Sequence, residues 1–225
     1  MGSDDLFNKR KAKQTKELKR HQAKRAPYDR VLILCEGTKT EPNYFQELCD
    51  YYRLNSANVK ISGDCGSAPI SVVQRAKELF LVEQRKGIPF DRVYCVFDKD
   101  SHDSYEAALQ EVKIAKPKTT FFAINSVPCF EYWLLLHFAF STQPFCGTAG
   151  AKNAGDQVLE ELKKYVPDYA KGNGGYFESL ISQLPQAIVY SKQSQEAADA
   201  SGTDNPSTLV HELVEYLQEL GKTSV

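Results

Sequence analysis

Apolar residues along this chain fall into short unbroken runs that alternate with longer one-sided stripes. DRVLILC (29–35), NVKIS (58–62), FDRVYCVF (90–97) and TTFFAINS (119–126) are rich in β-branched and aromatic residues. Short, continuously apolar runs predict strands buried on both faces. Between them lie helical patterns. Over 42–53, Tyr44, Phe45, Leu48, Cys49 and Tyr52 fall on one face, and Pro42 sits in the first turn, where its missing N–H costs nothing. Residues 69–86 and 103–115 also read as helices. Strands alternating with helices imply βαβ crossovers and a parallel, three-layer α/β sheet.

The second half is mostly helical. CFEYWLLLHFAF (129–140) is apolar nearly all round, which predicts a buried helix. Residues 156–166, 174–183 and 186–200 have weaker helical patterns. The last helix is expected to open at Asn205-Pro206, to carry a stripe of Leu209, Val210, Leu213, Val214, Leu217 and Leu220, and to close at Gly221. The expected organisation is a basic arm (1–27), an α/β core (28–140) and a helical extension packed on it (141–225).

Charge sharpens the first of these boundaries. The formal net charge of the 225 residues is −1, yet residues 9–25 hold nine Lys/Arg and one acid. This stretch has one large apolar residue, Leu18, so it is no core helix. Lys9, Arg10, Lys11, Lys13, Lys19, Arg20, Lys24 and Arg25 are candidates for phosphate contacts through counterion release. The plain alternative is a solvated tail. No apolar run reaches the roughly 18–20 residues of a membrane span, and the start lacks a signal-peptide core, so a cytoplasmic protein without membrane contact is expected. The six cysteines form no CxxC pair, and no histidine has zinc-ligand spacing to them. They are expected to be reduced and mostly buried.

Acidic residues follow two of the strands. LCEGTKTE places Glu36 and Glu41 after the first, and VFDKD places Asp98 and Asp100 after the third. Parallel sheets bind ligands beyond the carboxyl ends of their strands. If these two strands are neighbours, four carboxylates converge, and a hard divalent cation would offset their repulsion. Asp98 and Asp100 point the same way if the strand continues through them. Gly37 lets the backbone turn and approach a phosphate closely. The bland reading is helix capping: an acid near a helix N-terminus is stabilising by about 0.3–1 kcal/mol with no function at all.

Strand–EG followed by strand–DxD resembles the TOPRIM fold of topoisomerases, bacterial-type primases and OLD-family nucleases. The fuller wording of LCEGTKTEPNYF, VFDKDSH, PCFEYWLLLHF and NPSTLVHELV resembles the RloB family, which accompanies ATPase partners (RloA-like, AAA-type) in bacterial phage-defence loci. Val127 departs from the Asn expected before Pro128. The resemblance implies a TOPRIM-like three-layer fold with a central, mostly parallel four-stranded sheet and a helical C-terminal part. It also implies a Mg²⁺- or Mn²⁺-dependent nuclease of abortive-infection defence, acting on DNA or on structured RNA such as tRNA. Glu36 and Glu41 carry over as the acidic pair, and Asp98 and Asp100 as the metal-binding DxD. Glu36 is then a ligand or general base, and Glu41 completes the metal shell.

Five further residues bear on this expectation. Glu131 lies within an apolar helix and must be neutral, paired or aimed at the site. Lys39, beside Gly37, is a candidate for neutralising a phosphate. His137 cannot share a helix face with Glu131 and reads as a core histidine, while His102 and Asp103 lie within reach of a substrate. A second hypothesis is an inert TOPRIM-like binding or sensor module acting through its ATPase partner. A phosphotransferase is weaker, because no Walker-type GxxxxGK[ST] occurs.

Overall fold

The computed structural model describes residues 29–100, 102–147 and 152–222. The basic arm, and with it Lys9, Arg10, Lys11, Lys13, Lys19, Arg20, Lys24 and Arg25, lies outside the described residues.

Strands β1 (Val31–Cys35), β2 (Val59–Ser62), β3 (Arg92–Asp98), β4 (Phe121–Val127) and β5 (Ser207–Thr208) form one sheet in the order β2-β1-β3-β4-β5. The first four are parallel, and β5 pairs antiparallel with β4. The fold is therefore the expected α/β class, with a mostly parallel sheet, but with a fifth strand the sequence did not suggest.

Alternating residues of β1 explain its unbroken apolar run. Val31, Ile33 and Cys35 belong to one core cluster, and Leu32 and Leu34 to the other. Each face is covered. Helices α2 (Pro69–Arg85) and α3 (Tyr105–Ile114) supply Val72, Val73, Ala76, Phe80, Ala108 and Val112 to the second cluster. The first cluster takes Tyr44, Phe45 and Leu48 from α1 (Thr40–Tyr51), together with residues of α4 (Glu131–Leu135), α5 (Ala154–Lys163) and α6 (Tyr176–Leu180). Helices α7 (Leu184–Ser201) and α8 (Val210–Lys222) complete that layer. Core and extension thus share one hydrophobic interior.

Two expected helices differ. The 129–140 segment is α-helical only over Glu131–Leu135. Beyond it the bonding tightens to i→i+3, with His137 N–H on Leu134 O and Phe138 N–H on Leu135 O. The segment is apolar all round because it is enclosed, with Tyr132, Trp133 and Leu136 fully buried. The last helix does not open at Asn205-Pro206. Those residues lead into β5, and Val210 N–H then bonds Thr208 Oγ1 as the helix begins. Gly221 lies within α8, against Tyr52, and does not close it. The cysteines are free: five are buried and Cys146 is exposed. No described helix is long and apolar enough to cross a membrane.

Candidate active site

The strand order answers the question the acids raised. Chain order runs from β1 outward to β2 on one side and through β3 to β4 on the other, so the topology switches between β1 and β3. Such a point leaves a crevice at the carboxyl ends of the two strands. These strands are in parallel register, with Cys35 opposite Val96, and Glu36 N–H bonds Val96 O at 2.9 Å. Glu36 and Asp98 therefore leave adjacent strands side by side.

A cleft of about 450 Å³ opens there, lined by Glu36, Gly37, Lys39, Glu41, Asp98, Asp100, His102, Glu131 and Lys171, among others. Glu36, Glu41, Asp98, Asp100, Glu131 and Lys39, all picked from the sequence, reach it. Glu36 Oε2 accepts Asp98 N–H at 3.1 Å, and its Oε1 lies 3.2 Å from His102 Nε2. Glu41, in the first turn of α1, reaches back so that Oε1 accepts Gly37 N–H at 3.2 Å. It is buried. The helix-start reading does not remove Glu41 from the cleft, because the oxygen that satisfies a backbone amide belongs to a carboxylate lining it.

Gly37 leaves the room that the Glu41 carboxylate occupies. A Cβ there would land on the Glu41 carboxylate. Gly37→Ala is expected to displace Glu41 and to cost about 1–3 kcal/mol by overpacking. Thermal unfolding checks this; an unchanged Tm would show that the Gly37–Glu41 contact does not constrain the loop.

The DxD pair differs from expectation. β3 ends at Asp98, and Asp100 has φ +34°, in the left-handed region. The strand does not continue, so the two carboxylates do not share a strand face, although both line the cleft. Lys99 between them turns away to Asp204 (2.6 Å). Asp103 is exposed and does not line the cleft.

Glu131 sits at the start of α4 and is 2% exposed. Its Oε1 accepts Tyr169 O–H at 3.1 Å and pairs with Lys171 Nζ at 3.1 Å. Its Oε2 is buried with no hydrogen-bond partner. Tyr169 and Lys171 were not picked from the sequence; the one signal was that a buried Glu131 needs a partner. His137 is a core residue as expected. It is buried, its Nδ1 lies 3.1 Å from Trp133 O, and burial lowers its pKa to about 4.

The carboxylates resist ionisation together. Burial, then Glu41 and Glu131, push Asp98 well above its ordinary range. Burial, then Glu131, also raises Glu41, and burial, with contributions from Glu41 and Asp100, raises Glu36. Desolvation plus like charge is the pattern that a bound cation would relieve. Among the described residues, no three His, Cys, Asp or Glu side chains stand together as a ready metal cage. The acids are instead held by amides, His102, Tyr169 and Lys171.

Residues 31–217 match the family model described as RloB-like protein. The chain belongs to the RloB-like family. The match begins at the first residue of β1 and ends within α8, so it takes in every cleft-lining residue of this RloB-like chain. No curated protein and no solved structure matches it.

Proposed function

We propose that this RloB-like protein is a metal-dependent nuclease that hydrolyses phosphodiesters of DNA or structured RNA in anti-phage defence, beside an ATPase partner. The observation that carries the reading is the convergence of Glu36, Glu41, Asp98, Asp100 and Glu131 on one cleft at the sheet's switch point. The donor set fits a hard cation: every donor is a carboxylate oxygen, and Glu131 Oε2 is buried without a partner. Asp98, Asp100, Glu41 and Glu36 would hold the ion. A bound Mg²⁺ or Mn²⁺ would supply Lewis acidity and charge neutralisation at the phosphate.

The remaining steps belong to the chain itself. Glu36 has a raised pKa and a histidine neighbour, so it suits the acceptance of a proton from an attacking water. Lys39, at the start of α1, faces the cleft and offers charge to a phosphate oxygen. Glu131 orients Tyr169 and Lys171. The basic arm would add affinity for the nucleic-acid backbone without base reading.

The test incubates purified protein with tRNA, plasmid and single-stranded DNA, each with Mg²⁺, Mn²⁺ or EDTA, beside Glu36→Gln. Cleavage that needs metal and is lost in Glu36→Gln is expected. The rival reading, an inert module acting through its partner, draws on the absence of a closed three-carboxylate cage among the described residues. It gains if nothing is cut even with the ATPase present.

A further inference from the structure

Residues 169–177 form a strap that leaves the C-terminal half and lies against the start of α1. Gly172 N–H bonds Thr40 Oγ1 at 3.0 Å, and Gly172 O accepts Asn43 Nδ2 at 3.3 Å. Glu47 then receives Gly175 N–H at 2.5 Å and Phe177 N–H at 2.9 Å. Gly172 has φ +84°, and a Cβ there would come within 2.9 Å of the Lys39 side chain. A larger residue would be strained and would press on Lys39. The strap is thus clipped at both ends to the helix that follows the Glu36 loop. What it delivers to the cleft is Lys171.

The Lys171 side chain is 57% exposed, yet its ammonium reaches Glu131, whose side chain is 3% exposed. An exposed lysine pays side-chain entropy to hold one position, and here the strap fixes its backbone while Tyr169 O–H fixes the same Glu131 oxygen. Charged residues from the β1, β3 and β4 ends face this amine: Glu41, Asp98 and Glu131 all line the same cleft. The acidic cluster alone would not define a second position. The independent observation is Glu131 Oε2, buried and unpartnered beside the amine.

We propose that Lys171 is the built-in second cation of this cleft. Its ammonium takes the place at Glu131 that a second divalent ion would fill, so the chain binds one divalent ion and presents Lys171 to the phosphodiester. Two-metal sites clamp a phosphate between ions about 3.5–4 Å apart. An ammonium already held at Glu131 repels a second ion there and supplies charge of the same sign. The inference rests on the metal-dependent reading above.

The test counts Mn²⁺ bound per full chain, by calorimetry without nucleic acid, for the native protein, Lys171→Met, Lys171→Arg and Lys171→Met/Glu131→Gln. Native protein and Lys171→Arg are expected to bind one ion. Lys171→Met should bind two, and the added Glu131→Gln should return it to one. Lys171→Met should also show a lower Tm in EDTA that Mn²⁺ restores, because Glu131 is left without its cation. Two ions in the native protein would overturn the proposal, as would one ion of unchanged affinity in Lys171→Met; either result leaves the metal reading standing. No ion in any variant would overturn both.

Discussion

Asp98→Asn is expected to abolish the proposed metal-dependent cleavage and, in the absence of metal, to stabilise the fold at neutral pH. The loss of activity should be about a hundredfold or more, since even the outer partners of metal ligands matter by about 10–100-fold. The gain in stability follows from where the carboxylate sits. Burial and the like charges of Glu41, Glu131 and Glu36 raise the Asp98 pKa, and Phe130 N–H offsets them only in part. A carboxyl whose pKa is raised on folding binds its proton more tightly in the native state than in the unfolded one. Its stabilisation is complete below the unfolded pKa and is lost as pH rises through the folded value. Glu36 and Glu41 shift in the same direction. The metal-free protein should therefore lose Tm as pH climbs above the ordinary carboxylate range. Asn keeps the oxygen that accepts Phe130 N–H and carries no charge, so the variant should lose less. For a chain of this size, each 1 kcal/mol of relief raises Tm by about 2–4 °C. Melting in EDTA from pH 4.5 to 8 measures this, and a second series with Mn²⁺ should raise the native Tm most at high pH. A variant less stable than the native chain at pH 8 in EDTA would show that the buried charge is already compensated.

The same residues show how far the sequence could be read. The strands after which the acids lie were legible because burial on both faces leaves runs such as VLILC without alternation, and few other elements produce that pattern. Their convergence was conditional on β1 and β3 being neighbours, which depends on crossovers between distant segments. A shared strand face for Asp98 and Asp100 was conditional on the strand continuing through them, and it ends at Asp98. Asp100 takes a left-handed turn, and nothing in DKD announces that turn. β5 is two residues long and exists only because β4 offers it an edge, so no local periodicity marks it. Lys171 sits in KGNGGY, a polar, glycine-rich stretch with no pattern of its own. Its place is set by backbone clips to Thr40, Asn43 and Glu47, all on α1 and more than a hundred residues earlier. Glu131 was the one handle: the cost of burying a lone carboxylate demanded a partner, and the structure supplies Tyr169 and Lys171.

Phe130→Ala is expected to be the most destabilising single truncation near the site, because Phe130 belongs to the core and to the cleft at once. It is 1% exposed, lies edge-on to Tyr44 (5.5 Å between centroids) and Phe45 (6.1 Å), and forms part of the cleft wall beside Glu131. Removing a buried phenyl ring costs about 3–5 kcal/mol, the transfer free energy plus the cavity left behind. That corresponds to a fall in Tm on the order of 10 °C in a protein of this length. The neighbours cannot easily close the cavity. Tyr44 is already wedged edge-on against Phe45, Trp133 and Phe177, and Phe45 is fully buried in the layer beneath the sheet. Trp133 is the sole tryptophan and is fully buried three residues away, so its fluorescence reports unfolding of this layer directly. The cavity borders the start of α4, and Glu131 should lose its fixed position relative to Asp98. Activity is therefore expected to fall even at temperatures where the variant stays folded. Phe130→Leu, which keeps most of the volume, should recover most of the stability. If Phe130→Ala instead melts within 2–3 °C of the native chain, the wall between core and cleft is more compliant than this packing implies. The ordering of Glu131 would then have to come from Tyr169 and Lys171 alone.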